Sequence, residues 1–166
     1  MMTSPRDGAL EAQFEHLFRT EHERLWRAVY AFARNSDVAS DAVAEAFAQC
    51  LRRGDEVRDQ RAWVWRAAFA IARGSLAERA RWVQLPSDRR DAADADATGL
   101  DRVMAALAQL SEKQRAVILL RHYAGYRSRE IAELLGLAPA TVRVHLARGR
   151  RNLERALEEL DDEDRT

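Results

Sequence analysis

The sequence predicts an all-α protein of two small helical domains joined by a flexible linker, the C-terminal one containing a helix-turn-helix. Three observations carry that expectation. Apolar residues recur at spacings of three and four through most of the chain, and no alternating strand pattern appears. Alanine and arginine, both good helix formers, are abundant, whereas β-branched residues are sparse. Between these apolar stretches lies Gln84–Gly99 (QLPSDRRDAADADATG), which has a proline, a glycine, four aspartates and few apolar residues beyond alanine. That composition reads as a linker. With 166 residues, 47% of them hydrophobic, the chain has enough apolar material for one ordinary domain or two small ones. The expected division is 9–83, linker 84–99, 100–160 and an acidic tail at 161–166.

Met1 to Gly8 reads as a mobile arm. A helix follows with Phe14, Leu17 and Phe18 apolar, and Thr20-Glu21-His22-Glu23 has the form of a capping box, which predicts a restart or bend there. Leu25, Trp26, Val29, Tyr30 and Phe32 continue the apolar face to about Arg34. Asn35-Ser36-Asp37 reads as a turn, with Ser36 or Asp37 capping the next helix. That helix, Val38 to about Arg53, has an inward stripe of Val43, Phe47, Cys50 and Leu51. Asp41, Glu45 and Gln49 stand at i, i+4 and i+8 on its outside, either as ordinary surface or as an acid row for a basic partner. Gly54 ends it.

After a polar connector, Arg61 to Trp82 forms a long segment in which Trp63, Trp65, Phe69 and Trp82 alternate with Arg61, Arg66, Arg73, Arg79 and Arg81. Basic side chains attract phosphates and aromatic faces stack on unpaired bases. Trp63, Ala67, Ala70 and Gly74 share one side, and Trp65, Phe69 and Ala72 another. At least one tryptophan is therefore expected in the core, and Gly74-Ser75 is expected to bend or weaken the helix.

A short helix from about Leu100 to Leu110, with Leu100, Val103, Leu107 and Leu110 as its packing face, leads into Leu110–Leu153. Here Ser111 and Gln114 form a capping box, and Val117, Leu120 and Ala124 mark a buried face widened by Ile118 and Leu119. Gly125 ends this helix. Ser128 to Leu135 forms the next, with Arg127 or Ser128 at its cap, Glu130 in the first turn and Ile131, Leu134 and Leu135 inward. Gly136-Leu137-Ala138 is a short turn. Pro139 opens a third helix to about Leu157, with Val142, Leu146 and Leu153 inward. A short helix, a tight glycine turn and a second helix make a helix-turn-helix.

The second helix of that motif has no acid between Thr141 and Arg151. Thr141, Arg143, Val144, Ala147 and Arg148 lie near one outward face, with His145 among them. Arginine can bond a guanine edge with two parallel hydrogen bonds, and short apolar side chains can meet a thymine methyl. Arg150 and Arg151 suit phosphates. The competing reading is a solvated basic helix in a bundle. Net charge is zero, but it is unevenly spread: Thr141 to Arg155 holds five arginines and one glutamate, and Glu158 to Asp164 holds six acids and no base.

Other chemistry is not signalled. A single cysteine, Cys50, allows no intrachain disulfide. The sequence has no glycine loop for phosphate, no metal-ligand cluster and no nucleophile–base pair at motif spacing. No cofactor, metal or enzymatic activity is expected. No stretch is apolar enough to span a membrane and the N-terminus lacks the order of a signal peptide, so a cytoplasmic protein is expected.

Leu110–Leu153, with Glu130-Ile131-Ala132, Gly136 and Thr141-Val142-Arg143 in order, resembles region four of the extracytoplasmic-function sigma factors of bacterial RNA polymerase. The resemblance extends to Phe14–Trp82. Asp41, Glu45 and Phe47 match the acid, acid and aromatic of that family's polymerase-binding helix, and Trp63 matches the tryptophan that opens the next helix, with Arg66 in keeping with it. It implies a promoter-specificity subunit whose partners are core RNA polymerase and promoter DNA, with an anti-sigma factor as a further partner common in the family. It also implies −35 contacts from Thr141, Arg143, Val144, His145, Ala147, Arg148, Arg150 and Arg151. The implied −10 contacts are Trp63, Arg66, Ala70, Arg73, Arg79 and Arg81, and the implied polymerase contacts are Asp41, Glu45, Phe47 and Gln49. The departures are Ala44 for a usual glutamine, Ala70 for asparagine, Gly74 for aspartate and a loosened arginine pair at Arg79 and Arg81. Two other functions fit a helix-turn-helix: a stand-alone dimeric regulator of twofold operators, and a helical adaptor that binds no DNA.

Overall fold

The computed structural model describes residues 5–82 and 99–163. Two compact units divide the chain, Met1–Leu85 and Pro86–Thr166. The regular elements among the described residues are all helical. The first unit contains α1 (Pro5–Ala33), α2 (Ser36–Arg53) and α3 (Gln60–Trp82). The second contains α4 (Gly99–Ala108), α5 (Glu112–Ile118), α6 (Ser128–Leu135) and α7 (Pro139–Glu163). The expected arm is helical from Pro5 onward, and residues 1–4 lie outside the described residues. So do linker residues 84–98, tail residues 164–166 and the Trp82 side chain.

α1 runs without a break through Thr20, where a restart was expected. The Thr20 hydroxyl donates backward to the carbonyls of His16 (2.9 Å) and Leu17 (3.2 Å) instead of capping a new turn. The reason is a continuous inward face. Leu17, Glu21, Leu25, Val29 and Phe32 are all buried, so packing carries the helix past a local capping signal. α1 ends at Arg34, a non-glycine residue at φ +54° whose N–H bonds the Tyr30 carbonyl at 2.7 Å. That left-handed conformation costs about 1 kcal/mol.

The cap of α2 is Asn35, not Ser36 or Asp37: its Oδ1 accepts from the Val38 N–H at 2.9 Å. Such a cap contributes about 1 kcal/mol. Ala39, Ala42 and Ala46 are fully buried beside Val43, Phe47 and Cys50, and these small side chains let α1 and α3 approach α2 closely. Leu51, expected inward, is 57% exposed. It lies one residue past Cys50, outside the arc that the neighbouring helices cover. Gly54 at φ +51° turns the chain, its N–H bonding the Cys50 carbonyl, and the Asp59 carboxylate accepts from the Ala62 N–H at 2.9 Å to open α3. α3 continues through Gly74-Ser75 as an unbroken helix. Its inner face is Val64, Trp65, Ala68, Phe69 and Ala72, and Phe69 packs on both Trp65 and Phe32. Trp65 is thus a core tryptophan, as expected for at least one of them.

In the second unit, Ser111 caps α5 by accepting from the Gln114 N–H at 3.3 Å. Gln114 does not reach back to complete the expected box; its Oε1 accepts from Asn152 Nδ2 at 3.0 Å and ties α5 to α7. α5 widens into a π-helical turn, Leu119–Tyr123, closed by the Ala124 N–H on the Leu119 carbonyl at 3.0 Å. Leu107, Leu110, Val117, Leu120, Ile131, Val142 and Leu146 are buried in this unit. Leu100 and Val103, expected on the packing face of α4, are 68% and 41% exposed. At that end α4 meets α7 through an ion pair, Arg102 with Asp161, while Ala106 and Leu107 bury. The same contact, with buried Ala156, carries α7 as a helix to Glu163, beyond the expected end near Leu157.

Candidate nucleic-acid interface

α6, the turn at 136–138 and α7 build the helix-turn-helix. The turn depends on Gly136, which sits at φ +64° and donates its N–H to the Ala132 carbonyl. The Leu137 N–H bonds the same carbonyl at 2.9 Å. A side chain at Gly136 would be strained by the left-handed backbone. At the other end of α6, Arg127 occupies the cap position, and its backbone N–H donates to the Glu130 carboxylate at 2.6 Å. Glu130 therefore clamps the loop into the helix as well as sitting favourably in the helix dipole.

α7 is anchored through Val142, Leu146, Gly149 and Ala156, all buried. Gly149 was not singled out from sequence. A β-carbon there would lie 3.0 Å from Ile118 Cγ1, so its missing side chain sets how closely α7 lies on α5. No periodic signal marks such a glycine; only the α5 contact reveals it. This anchoring turns the opposite face outward. Arg143, Val144, Ala147, Arg148, Arg150 and Arg151 are exposed, and Thr141 is half-buried. His145 departs from this face: it is half-buried, with Nδ1 enclosed and without a hydrogen-bond partner.

Arg150 also differs from a freely extended arginine. Its Nε donates to His122 Nε2, in the π-helical turn, at 3.4 Å. Accepting that bond requires a neutral imidazole. Partial desolvation of the largely exposed ring, followed by the positive charges of Arg150 and Arg121, holds His122 below its ordinary value of 6.5. Arg127 and Arg129, flanking Ser128 at the start of α6, are exposed as well. Their signal in the sequence is two arginines beside a cap residue.

In the first unit, Trp63 is half-buried and Arg66, Ala70, Arg73, Arg79 and Arg81 are exposed along α3. The Arg53 guanidinium lies 5.7 Å from the Trp63 ring centroid, a cation–π contact from the end of α2. On α2, Asp41 and Glu45 are exposed and Gln49 is half-buried. Glu45 accepts from Gln49 at 2.8 Å and pairs with Arg52 at 2.9 Å. The Gln49 amide first, then Arg52, hold its carboxyl below the ordinary carboxylate range. The acid row is thus partly neutralised by Arg52. Phe47 does not share this surface. It is buried, with ring centroids 6.0 Å from Phe14, 5.0 Å from Phe18 and 5.9 Å from His22. Its position makes it a packing residue beneath α2, because the aromatic contacts of α1 cover it.

A helical chain of two units, with a helix-turn-helix whose second helix turns outward a run of arginines free of acids from Thr141 to Arg151, has the form of a DNA-binding protein. The family model described as "Sigma-70, region 4" matches residues 100–153. The chain is 31% identical over 170 residues to the ECF RNA polymerase sigma factor SigL of Mycobacterium tuberculosis, covering 92% of this chain and 94% of that protein. It is 30% identical to the RNA polymerase sigma factor CarQ of Myxococcus xanthus, covering 94% and 95%. The chain belongs to the extracytoplasmic-function family of RNA polymerase sigma factors. Among solved structures, the sigma factor RpoE of Bartonella quintana, in complex with the anti-sigma factor NepR, shares the fold. Its TM-score is 0.75 at 21% identity, covering 88% of this chain and 97% of that one. CnrH, in complex with the cytosolic domain of CnrY, has a TM-score of 0.66 at 24% identity, covering 93% and 98%. No helix among the described residues is long and apolar enough to cross a membrane.

Proposed function

We propose that this sigma factor directs core RNA polymerase to promoters by gripping two DNA elements, as a non-catalytic subunit in the cytoplasm. The observation that carries the reading is the outward face of α7. Val142, Leu146 and Gly149 hold the helix by one side, and Arg143, Val144, Ala147, Arg148 and Arg151 project from the other. This face enters the major groove of the −35 element. Arg143 and Arg148 read base edges, Thr141, Val144 and Ala147 supply short contacts, and Arg150 and Arg151, with Arg127 and Arg129 of α6, meet phosphates. His145 supports the helix from its edge.

Residues 9–83 form the polymerase- and −10-binding domain, 84–98 the tether and 99–163 the −35-binding domain, whose last helix carries the acids expected as the start of a tail. Along α3, Trp63 stacks on an unpaired base of the −10 element, while Arg66, Arg73, Arg79 and Arg81 follow its backbone. Ala70 and Gly74 contribute no hydrogen-bonding group for base edges, and stacking on Trp63 holds a base without selecting its identity. Asp41, Glu45 and Gln49 face core polymerase. An anti-sigma factor is a further partner, in keeping with the complexes seen for the two structural relatives.

The test is reconstitution. Purified chain is mixed with core polymerase and a pool of two-element promoters, and transcripts are sequenced. Transcription that depends on the chain and starts downstream of a shared pair of elements is the expected result. Specific binding to a palindromic duplex with no association with core polymerase would instead identify a dimeric regulator.

A further inference from the structure

Glu21 is a buried carboxylate at the contact of α1 and α3. Its Oε2 accepts from Trp65 Nε1 at 2.8 Å, and its Oε1 meets Arg61 Nε at 3.0 Å and Arg24 at 3.7 Å. The Arg61 guanidinium also lies 5.7 Å from the Trp65 ring centroid. A carboxylate is costly to bury unless it is paired, and this one is met by an indole N–H and two guanidinium groups. Two of those partners, Arg61 and Trp65, stand one helical turn apart at the start of α3. At 100° per residue, Trp63 falls on the opposite side of that turn, Arg66 about 120° round from the Arg61 and Trp65 side, and Ala70 on the Trp63 side farther along the helix.

We infer that Glu21 is a positioning residue for promoter opening: by pinning Arg61 and Trp65 it fixes the rotation of α3 about its own axis, and so the direction in which Trp63 and Arg66 meet DNA. The inference rests on the proposed −10 role of α3. The inner face of α3 packs Val64, Trp65 and Phe69 beside the small Ala68 and Ala72, and the directional bonds from Arg61 and Trp65 to Glu21 add a rotational constraint at its first turns.

The test uses the full chain with core polymerase on a promoter duplex that the wild-type holoenzyme transcribes, and reads strand opening by permanganate reactivity of −10 thymines. Glu21→Gln retains volume and an acceptor for the Trp65 N–H but loses the charge that draws Arg61. It is expected to slow opening about tenfold, equivalent to about 1.4 kcal/mol. Arg61→Gln, whose side chain is 37% exposed and tolerant of change, is expected to slow it about threefold. Association with core polymerase and with a duplex carrying only the −35 element stays within about twofold of wild type.

In a Trp63→Ala background the effect of Glu21→Gln is expected to shrink below about twofold, because the residue it aims is gone. Unchanged opening in both Glu21→Gln and Arg61→Gln overturns the inference. So does a full Glu21→Gln effect in the Trp63→Ala background, or a parallel loss of core and −35 binding; each would make Glu21 a general stabiliser of the unit. Wild-type opening by Trp63→Ala overturns the −10 reading of α3 and the inference with it.

Discussion

Arg143 and Arg151 share a helix, a charge and an exposed position, yet they are expected to behave differently on substitution. Arg143 stands near the start of α7, where a recognition helix approaches base edges, and Arg151 two turns later, where it approaches phosphate. Arg143→Ala should cost about 1–3 kcal/mol on the preferred −35 sequence and relax one base position, as read by selection from randomised duplexes with holoenzyme. Arg151→Ala should weaken all sequences evenly and reduce the salt slope of binding by about one. An intact −35 preference in Arg143→Ala would show that the reading face is elsewhere. His122 provides a pH test. Its folded-state value lies below 6.5, so the unfolded chain takes up the proton more readily. The stability that depends on neutral His122 is complete above 6.5 and is lost as the pH falls below it. Thermal unfolding across this range should show a steeper acid loss for wild type than for His122→Gln.

Two glycines inside helices show how packing reverses the sign of the same change. Gly74 of α3 is exposed, and a β-carbon there meets nothing within 4 Å. Gly74→Ala should therefore stabilise the chain by about 0.5–1 kcal/mol, because alanine loses less conformational freedom in a helix. Gly149 of α7 is buried against Ile118, with only 3.0 Å available to a β-carbon. Gly149→Val should destabilise by about 1–3 kcal/mol through overpacking, and should lower −35 binding because α7 is displaced from α5. Urea unfolding of both variants checks the two signs together. Equal signs would mean that the α5–α7 contact yields easily. The same logic explains α1, where a capping-box pattern at Thr20 has no effect because the helix on both sides buries one continuous face.

The chain as a whole has zero net charge, yet it carries two faces of opposite sign on different units. α2 offers Asp41 and Glu45, with Glu45 kept ionised by Gln49 and Arg52, and α7 offers Arg143, Arg148 and Arg151. Net charge is a poor guide to partners when charges are segregated in this way. Reversing both acids, Asp41→Lys with Glu45→Lys, should weaken association with core polymerase about tenfold or more. The base preference of the resulting holoenzyme at −35 should not change. A shift in that preference would show that the two faces do not act separately. Phe47 belongs to neither face: substitution by alanine should act through stability, since three aromatic rings from α1 enclose it.

Much of this was legible in the sequence because it depends on local chemistry. Helix periodicity, the glycine at 136, the proline at 139 and the acid-free run from Thr141 to Arg151 each act within a few residues, so reading them in order located α6, the turn, α7 and its outward face. Burial, by contrast, is decided by what lies opposite, and opposition is a property of tertiary structure. Why Trp65 is core, why Phe47 is buried, why Leu51 and Leu100 stay exposed, and why position 149 takes no side chain all depend on residues far away in the chain. Glu21 is the clearest case: beside Thr20 it reads as part of a cap, and only the approach of Arg61 and of Trp65, 44 positions along the chain, makes it a buried anchor.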